Sequence, residues 1–304
     1  MTGSEKIRKI PEPVSIHEVR MDDGTAIILR RHGNTAGPRL VLCHGNGLAT
    51  DFYYPFWSLL TEDFDLIIYD IRNHGWNAVS SRNAHNIPTF VEDHDRILEA
   101  IDRCFGRKRK IGVFHSISAL TTLLSPTHGT GFSARILFDP PVYKPDERPE
   151  EFDVATRRCT EMTLRRTDWF ESIEECVDFL RYIPTFSRVV PGTFELYASS
   201  TLRACANGRG YELRCPRDYE AQVFTHARAF AVMVEFEKFR CPTKVIGADP
   251  TLPYSFLPTV DLGHLLHVDY DFLPGATHLL QLEQPKECVR MMRDFLELHN
   301  LLDG

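Results

Sequence analysis

The chain predicts an α/β fold: a doubly wound, mostly parallel sheet with an inserted helical cap. Short continuous apolar runs, each bounded by Gly, Pro or Asp, recur along the sequence, as strands buried on both faces do. Helical patterns lie between them, and strand alternating with helix argues for crossover connections. A gap of about 100 residues in that rhythm is too long for a loop and marks an insertion.

The elements follow in order. Val14–Arg20 and Thr25–Arg30 alternate apolar with polar residues across Asp22-Asp23-Gly24, which predicts an antiparallel hairpin. Buried parallel strands are predicted at Arg39–Cys43, Leu66–Tyr69, Ile111–Phe114, Ile136–Phe138 and Lys244–Ile246. Helices are expected near 88–106, 117–125 and 285–301, the last opened by Pro285. A further strand-like run, His267–Phe272, precedes it. Between Asp139 and Lys244 lie amphipathic stretches at Phe152–Thr167, Ser172–Tyr182 and Asp218–Phe239, broken at Pro184, Pro191 and Gly208-Arg209-Gly210. The domain reading is therefore a core of residues 1–140 and 242–304 carrying a cap of residues 141–241.

Composition excludes several classes. The 304 residues are 43% hydrophobic and 25% charged, ordinary for a globular chain. A net charge of −7 gives a field that favours neither nucleic acid nor an anionic membrane. Arg107–Lys110, and Arg157-Arg158 with Arg165-Arg166, read as a turn and solvated helix faces. Residues Met1–Arg8 lack the apolar core of a secretory signal, and no run is long enough to span a bilayer, so a cytoplasmic location is expected. Eight scattered cysteines without a CxxC pair read as reduced packing residues. His264 and His267 stand three apart, but no third ligand completes a set, so neither metal nor cofactor is expected.

The chemistry centres on Lys110–Leu120, where a strand-like run ends in His115-Ser116 and a helix-like run follows at once. A serine on a sharp strand-to-helix turn projects its hydroxyl above the sheet. Serine needs a base to take its proton, an acid to hold that base, and N–H donors for the oxyanion. Ser116 is the candidate nucleophile, preferred over Ser118 because His115 and Ala119 fit the flanking places. The candidate base is His278, in the loop Leu273–Leu280. The acid is expected at Asp249, just past a buried strand, with Asp139 as the alternative because it ends another. The donors are expected to be the N–H groups of Ile117, at the helix start, and Asn46. Asn46 stands in His44-Gly45-Asn46-Gly47, where two glycines let backbone approach a substrate oxygen closely. His44, Gly45, His115 and Phe114 are expected to line the substrate pocket.

These pieces resemble, in order, motifs of the α/β-hydrolase family in its capped, serine-esterase-like branch. His44–Gly47 is similar to the oxyanion loop, and Asp70-Ile71-Arg72-Asn73-His74-Gly75 to the family's Asp-x-Arg-Gly-His-Gly turn. Phe114–Ser118 resembles the nucleophile elbow and Gly275–His278 the histidine loop. The resemblance implies that Asp70 and His74 shape a turn. It also implies a serine hydrolase acting on a small apolar acyl-type substrate through an acyl-enzyme. The same residues would serve a carbon–carbon bond hydrolase, and a binding protein with little turnover is the third reading. A serine at position 116 argues against the haloalkane dehalogenases and epoxide hydrolases, which use Asp there. Three departures stand out: Asn73 replaces a glycine of the turn, Ser118 takes a small-residue place of the elbow, and Phe114 replaces an elbow glycine. That ring is expected to project toward the pocket or to displace its neighbours. Oligomeric state is open.

Overall fold

The computed structural model describes residues 9–142, 149–252 and 268–302; His264 and His267 lie outside them. The first half runs β1 (Ser15–Arg20), β2 (Ala26–Gly33), β3 (Arg39–Cys43), α1 (Tyr54–Trp57), β4 (Asp65–Tyr69) and α2 (Ile87–Phe105). Then come β5 (Lys110–His115), α3 (Ile117–Leu124) and β6 (Ala134–Phe138). An insertion follows: α4 (Pro149–Arg165), β7 (Trp169–Phe170), α5 (Ile173–Leu180), α6 (Thr193–Thr201), β8 (Leu202–Ala204), β9 (Tyr211–Leu213) and α7 (Arg217–Ala231). The chain returns to the main sheet with β10 (Thr243–Gly247) and β11 (Val268–Phe272), and ends in α8 (Leu280–Glu283) and α9 (Pro285–Leu298).

Eight strands form one sheet in the order β1-β2-β4-β3-β5-β6-β10-β11. The β1–β2 and β2–β4 pairs are antiparallel, and the remaining pairs are parallel. The doubly wound sheet and its opening hairpin are as the apolar runs imply. Successive side chains of a strand face opposite sides, so each strand feeds two cores. Leu40, Leu42, Ile111 and Val113 pack against α1, α8 and α9. Val41, Cys43, Phe114 and Leu137 pack against α2 and α3. α2 is well punctuated. Asn86 caps it by accepting from Thr89 N–H, Pro88 stands in its first turn, and Gly106 ends it at φ 79°.

The insertion departs from the expectation of helices alone. β7, β9 and β8 make a three-stranded antiparallel sheet. Gly208 and Gly210, with φ of 73° and 71°, turn the chain between β8 and β9. They mark a hairpin where the sequence suggested a helix break. Phe170, Cys176, Leu180, Tyr197 and Leu213 of the insertion join the same apolar cluster as α1 and α9, so it packs continuously on the main sheet. All eight cysteines are unpaired thiols. Among the described residues, no helix is long and apolar enough to cross a membrane.

Candidate active site

Loops from five neighbouring parallel strands converge where ligands of α/β sheets bind, beyond the strands' carboxyl ends. β3 delivers His44–Gly47, β5 delivers Ser116, β6 delivers Asp139, β10 delivers Asp249 and β11 delivers His278.

Ser116 occupies the turn between β5 and α3 at φ 53° and ψ −119°. A non-glycine residue there carries strain on the order of 1–3 kcal/mol. The turn is held by Ser116 N–H on Phe138 O at 3.0 Å and Leu120 N–H on Ser116 O at 3.0 Å. Ser116 Oγ lies 3.0 Å from His278 Nε2, and His278 Nδ1 lies 2.6 Å from Asp139 Oδ2. Asp139 is fully buried, itself at φ 39°, and its other oxygen accepts Ala248 N–H at 3.1 Å. A carboxylate only accepts, so Nδ1 carries the imidazole proton and Nε2 accepts from the serine hydroxyl. Ser118 is buried lower down. Its Oγ accepts His115 N–H at 3.0 Å and faces the carbonyls of Cys43 and His115.

Of the two carboxylates that the sequence offers, Asp139 is the one that lies against His278. Asp249 does not reach His278. Its carboxylate accepts Gly275 N–H at 2.7 Å and the Thr251 hydroxyl at 2.6 Å. Those two bonds, the hydroxyl's first, hold it below the usual carboxylate range. The strands β6 and β10 are adjacent. Asp139 is the first residue past its strand, whereas Asp249 is the second past its own and is turned outward. Asp249 thereby braces the histidine loop from outside. Glu283 braces the same loop from below, its carboxylate accepting from Thr277 N–H (2.7 Å) and the Thr277 hydroxyl.

Gly45 lies against the serine turn. A Cβ on it would stand 2.8 Å from His115 Nδ1 and 3.2 Å from Ser116 Cβ. Gly47 has φ 72°, donates its N–H to His74 Nε2 at 3.0 Å, and leaves room for the Glu220 carboxylate 2.3 Å from where its Cβ would be. Asn46 is fixed by Nδ2 donating to Glu220 O at 3.0 Å. Among the described residues, the N–H groups of Asn46 and Ile117 meet no acceptor. Ile117 opens α3, where the helix end favours negative charge. Glu220 itself is buried against Arg166, so this member of the arginine cluster pairs inside rather than being solvated.

The other pocket candidates are placed differently from expectation. Phe114 does not project toward the substrate side. Its buried ring lies under α2, 5.2 Å from His94 and 5.8 Å from Phe132. Gly112, two residues earlier on the same strand face, clears the space: a Cβ there would stand 2.5 Å from the Phe114 ring. His44 is wholly buried, with Nε2 accepting Ile71 N–H and Nδ1 donating to Gly45 O. Burial pushes the pKa of both His44 and His74 below the ordinary histidine value. His115 lies under the histidine loop, its ring 4.6 Å from that of His278. Asp70 shapes its turn by accepting Thr50 N–H and Trp76 N–H, and Asn73 takes φ 66°. His74, His85 and Cys215 approach one another closely enough to suggest a metal. Yet His74 already donates from Nδ1 to Arg72 O and accepts at Nε2 from Gly47, leaving it no lone pair for an ion. Tyr53, Glu220 and Glu283 were not singled out from sequence. Nothing local marks them; only the spatial approach of distant segments does.

A sequence profile of the alpha/beta hydrolase family matches residues 40–291. No curated protein sequence matches the chain. Among solved structures it is similar to E-2-(acetamidomethylene)succinate hydrolase, at 16% identity and TM-score 0.71, over 93% of this chain and 100% of that one. It is similar to the thioesterase domain from the curacin biosynthetic pathway, at 14% identity and TM-score 0.66, over 93% and 99%. A third is an alpha/beta hydrolase from Novosphingobium aromaticivorans, at 15% identity and TM-score 0.67, over 94% and 99%. At such identities these likenesses establish the fold, while the profile spans most of the sequence. The chain belongs to the alpha/beta hydrolase family.

Proposed function

We propose that the protein is a serine hydrolase that cleaves a carboxylic ester, thioester or lactone through an acyl-enzyme. The observation that carries this reading is the hydrogen-bonded series Ser116 Oγ, His278, Asp139, with the serine held in a strained turn. Ser116 Oγ attacks the carbonyl carbon while His278 Nε2 takes its proton. Asp139 stabilises the imidazolium that forms. The oxyanion is met by the N–H groups of Asn46 and Ile117. Collapse expels the alcohol or thiol, which takes the proton back from His278. Water, deprotonated by the same nitrogen, then releases the acid.

Residues 141–241 act in this reading as a cap on a core of 1–140 and 242–304. Phe186 and Tyr197 of the insertion meet Phe52, beside the oxyanion loop, at 6.1 and 5.3 Å between rings. This aromatic seam suits a small apolar acyl group and the exclusion of water. The buried Phe114 ring leaves the serine turn intact, which supports turnover over a binding-only role.

A fluorophosphonate probe tests the proposal. The wild-type protein should be labelled, and Ser116→Ala should abolish labelling and lower ester turnover by about 10⁴-fold or more. An unlabelled wild type, or labelling that survives Ser116→Ala, ends the reading.

A further inference from the structure

The series around Ser116 leaves out two buried side chains that touch it from behind. His115 Nε2 lies 2.8 Å from the backbone oxygen of His278. A carbonyl only accepts, so this nitrogen carries the proton and donates. Nδ1 of the neutral ring is then a lone pair, and the Tyr53 hydroxyl lies 2.6 Å from it as the donor. The phenol oxygen in turn accepts Gly45 N–H at 3.2 Å. Every proton has one direction: Gly45 N–H to Tyr53, Tyr53 O–H to His115, His115 Nε2–H to His278. Burial first, and the neighbouring His278 ring second, keep the His115 imidazole well below its ordinary value and so neutral, as this order requires.

The run joins three segments far apart in sequence. It starts on the oxyanion loop after β3, passes through the residue preceding the serine, and ends on the loop after β11. Gly45 lacks a side chain where the His115 ring lies against it. His115 cannot serve as a second base, because both nitrogens are engaged. What it can do is set distances. A misplacement of about 1 Å among reacting groups costs about 10²-fold in rate.

We infer that Tyr53 and His115 are positioning residues, fixing the oxyanion loop and His278 at one height relative to Ser116. This rests on the serine-hydrolase reading and deepens it.

The test uses the full-length protein, a fluorophosphonate probe and thermal unfolding. Tyr53→Phe removes the link between the loop and His115; labelling should slow about tenfold or more, while Tm falls by only several degrees for the two polar groups left unpaired. His115→Gln places an amide N–H where Nε2–H was and keeps the hold on His278, so its labelling should stay within about tenfold of wild type. His115→Asn reaches only the place of Nδ1, and His115→Leu reaches neither; both should fall about 10²-fold. Wild-type labelling by Tyr53→Phe overturns the inference. So does an equal fall in all three His115 variants in step with Tm, which marks a packing role. Should the His115 variants fail to fold, ¹⁵N-histidine NMR of the wild type at pH 7 decides: an Nε2–H ring supports the inference and an Nδ1–H ring overturns it. An unlabelled wild type strikes the hydrolase reading itself, whereas a labelled wild type with an unaffected Tyr53→Phe strikes only the positioning role.

Discussion

Asp139→Asn separates the two candidate acids. In the wild type one oxygen of Asp139 holds His278 Nδ1–H and the other holds Ala248 N–H, in a site closed to solvent. An asparagine offers one acceptor for those two donors. If its oxygen stays on Ala248, the NH₂ faces Nδ1 and drives the ring to the Nε2–H tautomer, which cannot take the Ser116 proton. If the amide turns over, its NH₂ opposes Ala248 N–H, at a cost of about 1–2 kcal/mol for a buried unpaired donor. Either way the imidazolium formed during attack loses its adjacent charge. That charge contributes about 4 kcal/mol at ~4 Å with an effective dielectric of ~20. The sum, about 5–6 kcal/mol, corresponds to about 10⁴-fold in rate. Asp249→Ala removes a partly exposed carboxylate that braces the histidine loop, and should slow the reaction only about fivefold. The assay is the second-order rate of fluorophosphonate labelling, with circular dichroism to confirm folding. If Asp139→Asn stays within tenfold of wild type, or Asp249→Ala falls as far as Asp139→Asn, the assignment of the acid is refuted.

Other perturbations follow from the same geometry. Gly112→Ala should push the Phe114 ring out of its slot at a cost of about 1–3 kcal/mol and lower Tm by several degrees; an unchanged Tm would contradict the fit of glycine to ring. Gly47→Ala places a methyl in strained backbone against the Glu220 carboxylate, so the loop must move and labelling should fall about 10²-fold, measured against a wild-type control. Burial holds His32 down to about 4 and His85 and His94 to about 3, the cations Arg30, Arg72 and Arg135 adding to it respectively. Unfolded, these rings take protons near pH 6.5, so below that value the unfolded chain binds more protons than the fold. Their contribution is whole above about pH 6.5 and is lost as pH falls toward 4 and 3. Tm should be level above pH 7 and decline through pH 6 to 4; a Tm as high at pH 4.5 as at pH 7 would show that these histidines are not buried neutral.

The sheet was legible because strands buried on both faces leave a mark in local composition, as Leu40–Cys43 and Leu66–Tyr69 do. The serine turn was legible for a related reason: a strand run, His115-Ser116 and a helix run are contiguous. The acid was not. Asp139 and Asp249 both follow buried strands, and the strands are neighbours, so only the height and twist of each loop tell which carboxylate faces His278. The place of the Phe114 ring was illegible for the opposite reason. Read as an isolated replacement of glycine it threatened the turn, but its partner Gly112 stands on the same face and exchanges space with it. The three short strands of the insertion were invisible because two or three residues are too few for a periodic signal.

Ser116 and Asp139 both stand at positive φ, in conformations that glycine adopts freely and other residues resist. Stability alone would therefore favour a glycine at position 116. Ser116→Gly should melt above the wild type even as it loses the hydroxyl, a direct trade of folding free energy for reactivity. A lineage released from the need for that hydroxyl would have no physical reason to keep serine there. Serine on so unfavourable a backbone is what the proposed reaction, and not folding, would require.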